Sequence, residues 1–240
     1  MKQLKKILHK IFRLSGRDFL PYTYDNFYYI RRQKILASEG VNLVLDVGAH
    51  NGAYGQQLRE DGFDGRIVSF EPLSEVFQIL KEKAEQDESW ECEQLAIGDS
   101  IGESIINISG HLSSSSILSI TERHVNASPS SNTVSTEKIK VATLDSLKEQ
   151  YISSDDKVFM KVDVQGYEKH VLNGASNTLN QIQVIELELS LTKMYEGGPL
   201  LAEMLSHLGR LGYSLVGINQ VFSEPDTGHM LQADGIFIRK

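Results

Sequence analysis

Leu43-Val44-Leu45-Asp46-Val47-Gly48-Ala49-His50-Asn51-Gly52 decides the fold. Leu43–Val47 is a short apolar run with one acid near its end, stopping in a glycine turn. It is too short for a helix and reads as a strand buried on both faces. The stretch that follows, Ala53–Glu60, reads as a short helix. A buried strand passing through a glycine turn into a helix is the repeating unit of an open α/β sheet, and ligands bind at its carboxyl edge. Gly48 and Gly52 carry no Cβ, so the backbone there can turn sharply and approach a ligand closely.

The same alternation runs outward from this turn. Arg66–Phe70 predicts a second strand, stopped by Glu71-Pro72, and 74–86 a helix with Ser74 as its N-cap. Residues 91–97 predict a third strand ending at Gly98-Asp99. Val158–Val162 predicts another, ending at Asp163. Strand signals over 184–189, 213–217 and 235–238 enclose an amphipathic helix over 200–211. Together they predict an α/β fold, a mostly parallel sheet with helices on both faces, over 41–240. The middle differs. Strands over 103–109 and 138–142 flank a polar stretch, 111–136, expected to be either a disordered surface loop or a lid or substrate loop over the site.

Residues 1–40 form a basic, aromatic-rich extension. They hold nine basic residues and three acids, a net of +6, against −8 for the whole 240-residue chain, so the body carries −14. Residues 1–14 carry an apolar stripe (Leu4, Ile7, Leu8, Ile11, Phe12) opposite Lys2, Lys5, Lys6, Lys10 and Arg13, the pattern of an amphipathic helix. A second helix is expected up to about Ser38. The first helix either docks on the body or makes peripheral contact with an anionic membrane through 1–16. The acidic balance argues against nucleic acid as a partner, because phosphate binding needs a basic surface. Cys92 is the only cysteine, so an intrachain disulfide is excluded. A run of about 20 apolar residues, the length needed to span a bilayer, is missing. Lys10 and Arg13 interrupt any secretory signal, so a cytoplasmic, or membrane-associated cytoplasmic, location is expected.

The chemistry-bearing residues fall at the predicted strand ends. The spacing after Gly48 departs from the dinucleotide fingerprint, whose third glycine holds a pyrophosphate. The leading Asp46 suits a cation, such as an ammonium or sulfonium ligand, better than a phosphate. Glu71 stands 23 residues after Gly48, near the distance at which an acid accepts hydrogen bonds from ribose hydroxyls. Ala96-Ile97-Gly98-Asp99 would then form an adenine wall and edge. Lys161 and Asp163 share one strand face, as do Glu186 and Glu188, by period-two alternation. Charges at the end of a central strand are costly unless paired or used, so they form either a salt-bridged cluster or an acidic site floor.

Asp46 to Gly52, Phe70-Glu71-Pro72, Ala96-Ile97-Gly98, the serine run 113–116, Lys161-Val162-Asp163-Val164-Gln165-Gly166-Tyr167-Glu168 and Ala233-Asp234-Gly235-Ile236-Phe237 together resemble the FkbM family of S-adenosylmethionine-dependent methyltransferases. The resemblance covers about 41–239. It implies a class I methyltransferase Rossmann-like fold, with a seven-stranded sheet of order 3-2-1-4-5-7-6 and an antiparallel last strand. It implies O-methylation of a hydroxyl on a sugar, glycolipid or natural-product acceptor, with S-adenosyl-L-homocysteine as the product. Carried over by residue, it puts the methionine part of the cofactor on Asp46, Gly48 and Gly52, with His50 and Asn51 shaping the loop. Glu71, followed by Pro72, would hold the ribose. Ala96, Ile97 and Asp99 would flank the adenine, and Asp163 would lie near the transferred methyl. One departure stands out: the family's usual Asp-x-Glu-Gly has Gln165 in place of the Glu.

A hydroxyl is a poor nucleophile until its proton is drawn off. Asp163 is the expected base and Glu188 the second choice, with Lys161 beside them. His111 and His124, in the middle stretch, could close over the site. No His pair has metal-ligand spacing, so a divalent metal would rest on carboxylates. Two other readings compete: a nicotinamide-using oxidoreductase on a related sheet, and a non-catalytic module that binds the cofactor.

Overall fold

Strand β1 is Leu43–Val47, buried along its whole length. It lies at the centre of a seven-stranded sheet in a computed structural model that describes residues 12–17 and 20–240. The sheet continues with β2 (Arg66–Phe70), β3 (Trp90–Glu93), β7 (Val158–Val162), β8 (Ile182–Ser190), β9 (Tyr213–Ser223) and β10 (Met230–Arg239). Their order is β3-β2-β1-β7-β8-β10-β9. Counting only these seven strands in chain order, that is 3-2-1-4-5-7-6. β10 runs antiparallel to both β8 and β9, and the other pairings are parallel. The expected α/β architecture and strand order are therefore present.

Side-chain alternation divides the core into two layers. Leu45, Met160 and Leu187 face one layer, closed by helices α5 (Leu144–Tyr151), α6 (Glu168–Asn173) and α7 (Leu201–Arg210). Val44, Phe159 and Val184 face the other, closed by α1 (Tyr28–Ser38), α2 (Ala53–Glu60) and α3 (Ser74–Ala84). Val44 pairs with Phe159, and Phe159 with Val184. Two residues further along the same face, the rung is Asp46, Lys161 and Glu186. One face thus changes from apolar to charged as the strands reach their carboxyl ends.

Several expectations are corrected. The strand expected over 91–97 divides into two. β3 stays in the main sheet, while β4 (Ala96–Ile97) pairs with Val141 and Ala142 of β6 (Thr133–Ala142) in a second sheet of order β4-β6-β5, where β5 is Gly102–Ser109. The break is a tight turn in which the Leu95 amide donates to the Glu93 carbonyl. Ser74 does not cap α3. Leu73 holds that place, and the Ser74 hydroxyl donates to Glu137. The polar stretch 111–136 is ordered: it holds single 3-10 turns and α4 (Glu122–Ala127), capped by Thr121, and β6 begins within it. β9 and β10 extend well beyond 213–217 and 235–238.

The helix expected over 1–14 lies outside the described residues, apart from a last helical turn at 12–14. The proposed membrane contact through 1–16 falls largely there as well. Among the described residues no helix is long and apolar enough to cross a membrane. Helix α1 is packed against the sheet: Leu36 joins the second core layer and Arg32 is 5% exposed.

Candidate active site

The turn after β1 is shaped by backbone packing. Gly48 sits at φ +78°, and a Cβ there would lie 1.9 Å from the Asp163 carbonyl oxygen. Only glycine lets the β1 and β7 ends approach this closely. His50 follows at φ +49°, a left-handed conformation uncommon outside glycine. Its backbone N–H donates to Glu71 Oε2 at 2.8 Å, and the Leu73 N–H donates to Glu71 Oε1 at 2.8 Å. The Glu71 carboxylate therefore ties the first glycine turn to the end of β2. Burial pushes its pKa up to about 7, against the pull of those two amides.

Two cavities meet at this turn. The first is lined by Glu71, Pro72, Leu95, Ala96, Ile97 and Tyr167, and is roofed by the serine stretch and Ile106 of the second sheet. It is acidic at Glu71 and apolar at the Ala96–Ile97 end. The second cavity opens on the other side, between Tyr28, Tyr29 and Arg32 of α1, Tyr54 of α2, and the strand-end charges Lys161, Glu186, Glu188 and Asp234. Gly48, His50, Ser113 and Asp163 line both cavities.

The charged floor is a connected network. Lys161 Nζ lies 3.6 Å from Asp46 Oδ1 and 3.5 Å from Asp163 Oδ2, and donates to the Gly48 carbonyl at 3.2 Å. Ser69 Oγ donates to Asp46 Oδ2 at 3.3 Å, and the Trp90 indole donates to Ser69. Arg32 bridges Asp61 at 3.2 Å and Glu186 at 3.7 Å, and its guanidinium lies over the Tyr54 ring. Burial raises the pKa of Asp46, Glu186 and Glu188, and pushes Asp234 up to about 8. The salt-bridged cluster and the acidic floor are thus the same object: paired below, open above.

The expected site residues separate into two groups. Gly48, His50, Glu71, Pro72, Ala96, Ile97 and Asp163 line the first cavity, while Asn51, Lys161 and Glu188 line the second. Five do not reach a cavity wall. Asp46 is sealed beneath the turn at 0% exposure, and Gly52 packs on Leu80 and Trp90. Asp99 turns away and meets His170 Nδ1 at 2.6 Å. His111 bonds Ser113 and Ser114, and His124 is buried edge-on against Tyr195. Sequence reasoning missed Arg32, Tyr54, Tyr167, Tyr195 and Gln232. Arg32 left one signal: it shares a helical stripe with Tyr28 and Leu36, where a charge needs a buried partner. Among the described residues no group of three or more His, Cys, Asp or Glu is placed to hold a metal ion.

A sheet of this order, with a reversed last strand and a cleft at the ends of β1, β2 and β7, is the class I methyltransferase fold. Residues 46–215 match the family model of the methyltransferase FkbM domain, and the chain belongs to that family. This places it apart from the nicotinamide-dependent oxidoreductases. Similar solved structures include methyltransferase FkbM from Methylobacillus flagellatus KT (13% identity, 81% of this chain and 43% of that one, TM-score 0.47). Others are TehB from Haemophilus influenzae (9%, 89% and 62%, 0.49) and a Streptococcus pneumoniae protein, Sp1610, described as a putative tRNA (m1A22) methyltransferase in complex with S-adenosyl-L-methionine (11%, 87% and 72%, 0.47). The chain spans less than half the length of the Methylobacillus protein. No curated protein sequence matches it.

Proposed function

We propose that the protein transfers a methyl group from S-adenosylmethionine to a hydroxyl of a sugar, glycolipid or natural-product acceptor. The observation that carries this reading is the pair of cavities meeting at Gly48, His50, Ser113 and Asp163. The cofactor would supply a methyl on a sulfonium cation, and the residues present suit it. Each Glu71 oxygen accepts one backbone N–H, leaving acceptor capacity on the cavity side for two ribose hydroxyls. Leu95, Ala96, Ile97 and Tyr167 offer a flat apolar slot for adenine. Gly48 and His50 would border the methionine part, with the Asp163 carboxylate facing the positive sulfur.

On the acceptor side, Asp163 would take the hydroxyl proton, with Glu188 next to it. Lys161 holds Asp163 in place and balances part of its charge. Alignment of the attacking oxygen with the methyl supplies much of the remaining rate. Of the charged residues lining the second cavity, Asp163, Glu186, Glu188 and Asp234 outnumber Arg32 and Lys161, and both cations are already tied to acids. Among the described residues this leaves no lining cation over to meet a phosphate, which disfavours a phosphate-bearing acceptor, nucleic acid included. Calorimetry with S-adenosylmethionine tests the cofactor: micromolar binding is expected, and no binding by folded protein overturns the reading. Mass spectrometry of hydroxylated acceptors incubated with enzyme and cofactor then tests transfer.

A further inference from the structure

Gln165 stands between two carboxylates, and its surroundings give its neutral amide a role. It follows Asp163 by two residues and sits at φ +55°, a left-handed backbone on a residue with a Cβ. Such a conformation is strained and persists only where neighbours hold it. Here the Ser116 hydroxyl donates to the Gln165 carbonyl at 2.7 Å. The next N–H, from Gly166, donates to Glu168 Oε1 at 3.0 Å. The side chain is held equally firmly. Its Nε2 donates to Asp163 Oδ1 at 2.7 Å and to Glu188 Oε2 at 3.0 Å, and its Oε1 accepts the Tyr195 hydroxyl at 2.6 Å. Reversing the amide would set its oxygen against two carboxylates, so the acceptors themselves fix which end is nitrogen.

We propose that Gln165 is a positioning residue: its side-chain amide, locked by Tyr195 on a backbone held by Ser116, spans Asp163 and Glu188 and holds the two carboxylates as separate acceptors facing the second cavity. The proposal rests on the methyltransferase reading of that cavity. An acid at this position would be a third carboxylate between two others. One of the three would then have to bind a proton, and the shared proton would draw the carboxylates together. The neutral amide supplies two N–H donors without adding charge. Glu188 receives a second amide, from Gln232 Nε2 at 2.6 Å, so it too is oriented from two sides. A residue that makes four distinct polar contacts, one through its backbone and three through its side chain, is built into the site.

The test uses the full chain with 13C-labelled Asp and Glu carboxyls, followed by NMR as a function of pH. Asp163→Asn and Glu188→Gln assign the signals. In Gln165→Glu and Gln165→Leu, the apparent titration midpoints of the Asp163–Glu188 pair are expected to move up by about one pH unit or more, because donors to the charged forms are lost. Because Gln165 also lines the first cavity, cofactor binding is read on the wild-type protein, by calorimetry with S-adenosylhomocysteine. Unmoved midpoints in both variants overturn the proposal. Should either variant fail to fold, the wild-type protein decides. The two Gln165 Nε2 protons must exchange slowly with solvent and shift in Asp163→Asn and in Glu188→Gln; rapid exchange overturns it. The titration needs neither cofactor nor acceptor. Failure to bind S-adenosylhomocysteine would therefore defeat the methyltransferase reading and leave the result on Gln165 separate.

Discussion

Lys161 and Asp46 face each other across the β1–β7 ladder, 3.6 Å apart, with Asp46 fully buried and Lys161 nearly so. The pair lies under the glycine turn and outside the cofactor cavity lining. Lys161→Met removes the ammonium that offsets Asp46, Asp163 and Glu186. Breaking a buried pair on one side typically costs about 3–5 kcal/mol, which urea denaturation at pH 7 should show. The pH dependence has a definite sign. Burial raises the folded pKa of Asp46, and loss of Lys161 raises it further. A group with a raised folded pKa favours folding below its unfolded pKa and loses that contribution as pH rises through the folded value. The variant should therefore lose more stability than the wild type between pH 5 and pH 8, about the range above the unfolded carboxylate value. A parallel loss in both proteins would argue against the pairing.

Glu71 gives a binding prediction. Its pKa is pushed up to about 7, mainly by burial. Ribose hydroxyls donate to the ionised carboxylate, so cofactor affinity should climb as pH rises through 7 and level off above it. Glu71→Gln keeps the shape and removes the charge. It should weaken binding by about 1.5–3 kcal/mol at pH 8, the usual worth of hydrogen bonds to a charged group, and flatten the pH profile. Calorimetry between pH 6 and pH 8.5 measures both.

Why these two acids behave differently was only half legible in the sequence. Strand ends, glycine turns and the acid after β2 announced themselves locally, through apolar runs and punctuation. Most element boundaries near the site followed, while the strand order came only with the resemblance to the family. The burial of Asp46 did not, because it depends on Ser69, Trp90 and Lys161 arriving from other strands. The break at Gln94-Leu95 carries no glycine or proline, and only the distant partner β6 draws Ala96 out of the main sheet. Asp99 was misplaced for a related reason. Its distance along the chain suited an adenine edge, but His170 on α6 takes its carboxylate.

Asp163 lies on the wall between the cavities, and its substitution separates binding from chemistry. Asp163→Asn should bind S-adenosylhomocysteine about as well as the wild type, since the backbone contact to Gly48 is kept. Methyl transfer should fall by about 10²–10⁴-fold, the usual contribution of a positioned general base. Transfer of labelled methyl to whichever acceptor the wild type modifies gives the measure. Unchanged turnover would remove Asp163 as the base and direct attention to Glu188.

Gly48→Ala should act through geometry alone. The added methyl meets the Asp163 carbonyl at 1.9 Å, on a backbone at φ +78° that side chains disfavour. Neither backbone can yield without parting β1 from β7. A loss of at least about 1–3 kcal/mol of stability is expected from the dihedral and the overlap, together with loss of cofactor binding. Thermal unfolding and calorimetry read the two effects. A stable variant with normal affinity would mean the turn is looser than its contacts indicate.

Tyr28 carries the last prediction, and it runs in opposite directions for function and stability. Its hydroxyl is buried at the rim of the second cavity with no hydrogen-bond partner among the described residues. An unsatisfied buried hydroxyl costs stability, so removing it should leave the fold unchanged or firmer, by up to about 1 kcal/mol. If the hydroxyl is kept to meet a polar group of the acceptor, Tyr28→Phe should raise the acceptor KM by about three- to tenfold, the loss of one neutral hydrogen bond. Cofactor affinity should not move, because Tyr28 does not border the first cavity. Tyr28 precedes the stretch, 46–215, that defines the family. A KM effect there would place acceptor choice on the helix that precedes the matched stretch. A more stable variant with an unchanged KM would assign the buried hydroxyl to neither folding nor recognition.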